Sequence, residues 1–220
     1  QHAFESGVAF NLEFILDQRE ILLETIKDFW RVFVYPLNKE KTDAILEVFA
    51  APEALFSKVA NILNKGNALV TPQIKLDDVW QARELYLGKV ASFKKACLDS
   101  EFIAAVKSSG LSGAKTPARK GSLAALEAFC KGDELFFEFG TNKYSYEIWS
   151  TENLSDEANY KKNQPLFSHV MLSQFDEMAK LVNTVNQGLA IAIVQHAASW
   201  VKQAIVKRKQ EQSVITPDDL

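Results

Sequence analysis

The stretch 166–209 constrains the fold most, because its 44 residues contain one glycine and no proline. Apolar residues recur along it in alternating steps of four and three, the heptad spacing of packed helices. The residues of this apolar seam are Met171, Phe175, Met178, Val182, Val185 and Leu189. From Leu189 onward the steps lengthen toward ordinary bundle packing. The pattern predicts one long, coiled-coil-like helix over 166–209.

The expected length of this helix predicts how its apolar seam is used. A helix of that size is about 66 Å long, whereas a compact chain of this length is roughly 44 Å across. Part of the seam should therefore project beyond the body of the protein, and soluble monomers rarely expose such a patch. We expect a homodimer whose interface is formed by the six seam residues. In the alternative, the N-terminal helices of the same chain cover the seam.

The N-terminal half shows further helical patterns at about 10–34, 41–64, from 77 onward and at 100–106. Two of them resemble copies of one helix pair, since the segment ending at Trp30 matches the segment ending at Trp80 at an offset of 50 residues. Trp149 and Trp200 form a second pair with a similar spacing, 51 residues. These patterns predict an all-α protein, an elongated bundle of repeated helix pairs. In the alternative, the four tryptophans simply fill core positions.

Three regions are predicted along the chain. Residues 1–112 form the helical repeat region, 113–122 form a basic flexible loop, and 123–220 hold the long helix. Within the last region, 134–149 alternates apolar and polar residues around Gly140, which is typical of a small β-hairpin. A short helix fits the same residues, and an isolated hairpin is marginally stable. Both interpretations of 134–149 remain open.

Composition and motifs argue against several classes of function. The net charge of -3 is unlike that of a general nucleic-acid binder. The three histidines have no partner at metal-ligand spacing, and no set of nucleophile, base and orienting group emerges. We therefore expect no enzyme, no metal and no cofactor. The two cysteines, Cys97 and Cys130, fit either a disulfide or two buried thiols.

Basic residues cluster in and before the predicted loop. The cluster comprises Lys107, Lys115, Arg119 and Lys120, with Lys89, Lys94 and Lys95 on the preceding helix. A patch of this size can bind acidic phospholipid headgroups or an acidic partner surface. We expect lipid binding at Lys107, Lys115, Arg119 and Lys120. The alternative is a solvated surface without a ligand.

The tryptophan-centred helix pairs, with Tyr35 and Tyr86 a few residues after Trp30 and Trp80, and the long helix resemble the helical avirulence effectors of rust fungi. The repeats are similar to the Trp/Tyr modules of oomycete effectors. This resemblance implies a secreted, non-enzymatic virulence protein that acts in the host cell cytoplasm. It also implies dimerisation, acidic phospholipid binding and detection by a plant immune receptor, a host protein.

A membrane-active protein is the alternative to an effector. The run 181–201 carries no charge over 21 residues, which is long enough to span a bilayer. Asn183, Gln187 and Gln195 are among the polar residues that interrupt it, which disfavours a true transmembrane helix. The run and the aromatic content together support a helical pore-forming toxin as the second interpretation.

Overall fold

In a computed structural model of the chain, the described residues are 13–14, 18–65, 72–112, 117, 121–139, 145–212 and 214–215. They form eight α-helices, so the predicted all-α class is confirmed. The helices are α1 (Arg19–Phe33), α2 (Lys39–Val48), α3 (Glu53–Leu63), α4 (Leu76–Asp99), α5 (Phe102–Ser108), α6 (Ser122–Lys131), α7 (Thr151–Leu154) and α8 (Met171–Gln212). Two 3₁₀ helices cover Ser145–Trp149 and Glu157–Asn159. Two short strands, β1 (Glu13–Phe14) and β2 (Val214–Ile215), pair in parallel.

The helix boundaries follow local chemistry. The predicted helix 41–64 is two helices, because Phe49 is extended and α3 begins only after Pro52. A proline disfavours helical backbone at the residue before it. Helix α2 starts where the Asn38 side chain accepts a hydrogen bond from the Lys41 N–H at 3.0 Å. The helix predicted from residue 10 begins at Arg19, and Glu13–Phe14 pairs with β2 instead.

The chain packs as two units. Unit 1 contains residues 1–76 and 189–220, and unit 2 contains 77–188. Unit 1 is therefore built from the two ends of the chain and unit 2 from its middle. This division does not coincide with the three consecutive regions expected from the sequence, since long-range packing of the last helix decides it.

Unit 1 has a core of apolar side chains from α1, α2, α3 and the C-terminal part of α8. Phe29 and Trp200 meet at 5.9 Å between ring centroids, within the range of aromatic pairs. At the rim, Asp28 accepts hydrogen bonds from Arg31, at 2.5 Å, and from Arg208. One carboxylate thus joins α1 to α8.

Unit 2 has an aromatic core. Its fully buried members come from α4, α5, the segment after α6, the first 3₁₀ helix and α8: Tyr86, Phe102, Phe137, Tyr146, Trp149 and Phe175. Phe175 stacks on Trp149 at 5.3 Å and meets Phe93 edge-to-face at 5.0 Å. Such contacts stabilise by geometry as well as by burial.

Two of the sequence patterns have different structures from those expected. The four tryptophans do not occupy equivalent positions: Trp30 lies near the end of α1 and Trp80 in the first turns of α4. Trp149 ends a 3₁₀ helix and Trp200 lies inside α8.

The second half of the proposed hairpin is the 3₁₀ helix Ser145–Trp149, because Tyr146 and Trp149 both turn into the core. Residues 140–144 lie outside the described residues.

Candidate functional site

The base of the basic loop is fixed to unit 2. Leu111 forms an antiparallel bridge with Tyr160, and the N–H of Ser112 donates to the Asn159 carbonyl at 2.8 Å. The Tyr160 hydroxyl donates to the Leu154 carbonyl at 2.7 Å and accepts from the Phe167 N–H at 2.8 Å. On the other side, Gly121 has a φ of 85° and leads directly into α6. The loop is thus held at both of its ends.

The predicted lipid-binding residues divide into two groups. Lys115, Arg119 and Lys120 lie outside the described residues. Lys107 on α5 approaches Glu127 on α6 at 3.4 Å, and the other oxygen of that carboxylate is 3.9 Å from Lys131. Glu127 therefore offsets part of the positive charge beside the loop. Lipid binding at this patch stays a prediction.

The cations on α4 have intramolecular partners as well. Lys89 pairs with Glu177 on α8 at 2.9 Å. Lys94 donates to the carbonyls of Gly132 and Glu134, at 2.8 and 2.6 Å, and its Nζ lies 4.3 Å from the centroid of the Phe129 ring. Lys94 therefore holds the end of α6 and the segment that follows it, which is a structural role.

The six predicted dimer-interface residues are buried inside the protein. Met171, Phe175, Met178, Val182, Val185 and Leu189 are each at most 3% exposed in the single chain. The first four belong to the core of unit 2. A seam covered by its own chain presents no surface to a second copy, which corrects the assignment of these residues to an interface. Whether the protein forms a homodimer is not tested by this burial, and the homodimer stays a prediction.

Two tyrosines form a buried hydrogen-bond chain that no pattern in the sequence predicted. The Tyr86 hydroxyl donates to the Leu135 carbonyl at 2.6 Å, and the hydroxyls of Tyr86 and Tyr146 are 2.9 Å apart. Because the proton of Tyr86 is used on Leu135, Tyr146 donates to Tyr86. Burial raises the pKa of Tyr86 to about 12 and raises the pKa of Tyr146 as well. Both hydroxyls stay protonated and structural at neutral pH.

The two cysteines are free buried thiols in unit 2. A hydrogen bond between them raises the pKa of Cys97, with burial adding to the effect, and lowers the pKa of Cys130. Both thiols belong to the core of unit 2. This answers the question of pairing that the sequence left open: no disulfide links them.

The described histidines do not form a catalytic or metal site. The Nδ1 atom of His169 accepts a hydrogen bond from the Met171 N–H at 3.1 Å, which helps to start α8. His196 packs against Phe33 at 4.5 Å between centroids, and burial lowers its pKa. Among the residues with assigned structure, no three of His, Cys, Asp and Glu lie close enough to hold a metal ion.

By length and composition alone, helix α8 is long and apolar enough over Met171–Glu211 to cross a bilayer. The core helices of globular proteins can have the same length and composition. The burial of the seam gives the apolar residues of α8 a role in packing.

Comparison with known proteins gives two similar sequences. No family model matches the chain. A stretch of 65 residues, 30% of the chain, is 38% identical to the RecB subunit of the RecBCD enzyme of Haemophilus influenzae and covers 5% of it. The whole chain aligns over 226 residues, at 21% identity, with 18% of the RecB subunit of Escherichia coli. The chain thus spans less than a fifth of the length of the curated relatives that it matches.

Proposed function

We propose that this chain is a helical module of a RecB-type subunit of a multi-subunit enzyme. The observation that carries the proposal is the alignment of the whole chain with one continuous part of the E. coli RecB subunit. The shorter match points to the protein of the same name in a second organism. In this proposal the module supplies packing and binding surfaces, and the catalytic groups belong to other parts of the subunit.

The arrangement of the strands supports a module inserted within a longer chain. Strand β1 pairs with β2 in parallel, with Glu13 opposite Val214 and Phe14 opposite Ile215. A longer polypeptide would therefore enter and leave the module at neighbouring points. Domains with adjacent ends are those that tolerate insertion into another domain. A parallel pair of this length is also too small to be stable alone, which favours its continuation in a larger sheet.

The size of the native polypeptide tests this proposal. Because the aligned part is 18% of the E. coli subunit, an antibody raised against this chain should detect a protein about five times as long in extracts of the source organism. That protein should co-purify with further subunits. Detection only of a secreted species near 24.7 kDa would contradict the module and support the effector.

The effector stays the second candidate, because the tryptophan and tyrosine spacing on which that resemblance depends is a feature of the sequence. It predicts a secreted protein that enters host cells and binds acidic phospholipids and an immune receptor. Sedimentation with acidic liposomes tests the lipid part directly. Replacing Lys115, Arg119 and Lys120 with glutamate should weaken the sedimentation if the basic loop is responsible.

A further inference from the structure

An apolar cavity in unit 1 has a cation at its edge. The cavity has a volume of about 340 Å³ and lies between the end of α2, the middle of α3 and the C-terminal part of α8. Its apolar walls include Val48, Phe49, Ile191 and Val194. Its size is within the range of pockets that hold small molecules, and such pockets are mostly apolar with few polar groups.

The polar groups of this cavity are Lys58 and Gln195. Both ends of the Gln195 amide are occupied: Nε2 donates to the Pro72 carbonyl at 2.6 Å, and Oε1 accepts from the Ile74 N–H at 3.2 Å. Gln195 thus fixes the segment before α4 at the edge of the cavity and has little capacity left for a ligand.

Lys58 is the group that remains available. It is exposed, and within the described part of the chain no carboxylate lies within ion-pair distance of its Nζ. The described lining residues also include no acidic side chain. An apolar wall beside an unneutralised ammonium group complements a ligand with an apolar body and one negative charge.

We infer that this cavity binds a small apolar monoanion, such as a medium-chain carboxylate. The hydrocarbon lies against the walls from α2 and α8, and the carboxylate faces Lys58. A small ligand fits better than a protein partner, because a stable protein interface buries about 800 Å² on each side and a cavity of this size offers only a fraction of that. The inference is independent of the proposed function.

Decanoate and decanol, below the micelle concentration, provide a matched pair of ligands that differ in charge. We expect saturable binding of decanoate to the full chain, about fivefold tighter than that of decanol, as measured by isothermal titration calorimetry. Lys58→Met keeps the apolar stem and removes the charge, so it should abolish the preference and leave decanol binding unchanged. Lys39→Met, an equal change at the start of α2 outside the cavity, should retain the preference.

Filling the cavity gives a second, steric test. Ala190 also lines it, and Ala190→Trp should weaken the binding of both ligands by tenfold or more, because the ring occupies their space. Circular dichroism of each variant checks that it is folded; if Ala190→Trp is not, Ala190→Leu replaces it. The inference is overturned if the wild type binds no decanoate saturably, if Lys58→Met keeps the preference, or if a folded filling variant binds as the wild type does.

Discussion

At the scale of single residues, the buried tyrosine pair makes two similar side chains unequal. The Tyr86 hydroxyl donates a hydrogen bond to the Leu135 carbonyl and accepts one from the Tyr146 hydroxyl. The Tyr146 hydroxyl only donates a hydrogen bond. Removing the Tyr146 hydroxyl leaves Tyr86 bonded to Leu135. Removing the Tyr86 hydroxyl leaves both Tyr146 and the Leu135 carbonyl without this partner.

We therefore expect Tyr86→Phe to destabilise the protein more than Tyr146→Phe. The expected losses in the free energy of unfolding are about 2 kcal/mol for Tyr86→Phe and about 1 kcal/mol for Tyr146→Phe, because an unsatisfied buried group costs more than a lost hydrogen bond. Urea unfolding of the two variants measures both losses. Equal losses would show that the order of donation is wrong.

The same tyrosines give a prediction for pH. The pKa of Tyr86 is about 12 in the folded chain and about 10 in an unfolded one. The folded state therefore holds the proton more tightly, and this stabilisation is fully present below pH 10 and is lost as the pH rises towards 12. The free energy of unfolding should therefore fall between about pH 10 and about pH 12. The double variant Tyr86→Phe, Tyr146→Phe is the control, because it keeps every lysine and loses only the two buried hydroxyls. Its free energy of unfolding should fall less over the same pH range.

At the scale of helices, the buried apolar seam of α8 predicts how the protein responds to a charge placed on it. Val182 is 1% exposed and belongs to the core of unit 2. Val182→Asp places an unpaired charge in that core and should cost roughly 3–5 kcal/mol of stability. Val170→Asp, a matched change at a side chain that is 74% exposed, should cost little. Chemical denaturation separates this from the dimer hypothesis, in which Val182→Asp would yield a folded monomer.

The sequence predicted α8 well because a long heptad pattern without proline fits few structures other than a long helix. The pattern shows that Phe175 and Val182 lie on one apolar face, but it does not show what covers that face. The covering residues come from α4, α5 and the first 3₁₀ helix, far away in the chain. For the same reason the spacing of Trp30 and Trp80 did not reveal their different places in their helices.

The candidate sites were less predictable than the helices. The basic cluster was visible in the sequence, but the pairing of Lys89 with Glu177 and of Lys107 with Glu127 depends on contacts between helices. The cavity beside Lys58 joins residues more than 130 positions apart and leaves no local pattern. The two tyrosines of the hydrogen-bonded pair are 60 residues apart, and they too leave no local pattern in the sequence. Local periodicity reports which face is buried and not which residues meet there.

At the scale of the whole molecule, the pairing of β1 with β2 can be tested by a cross-link. Paired backbone positions in neighbouring strands have the Cα separation that a disulfide requires. The variant Glu13→Cys, Val214→Cys should therefore oxidise readily, and the free energy of unfolding should rise by up to about 5 kcal/mol because a very long loop is closed. Thiol titration and urea unfolding measure the two effects.

The single variant Glu13→Cys is the control for this cross-link, since it cannot form the new bond. The native thiols of Cys97 and Cys130 are buried and should not compete. Failure of the double variant to oxidise would place the two strands apart. That result would also remove the structural support for an inserted module.

The division of the chain into a continuous and a split unit sets an order for folding during synthesis. Residues 77–188 are synthesised before 189–220, so unit 2 can begin to form while the last part of unit 1 is still missing. Helices α1 to α3 leave the ribosome first but must wait for the last part of α8. Their apolar faces stay uncovered during that interval. The first residues to be made are thus among the last to be folded, and they are the part of the nascent chain that most needs a chaperone.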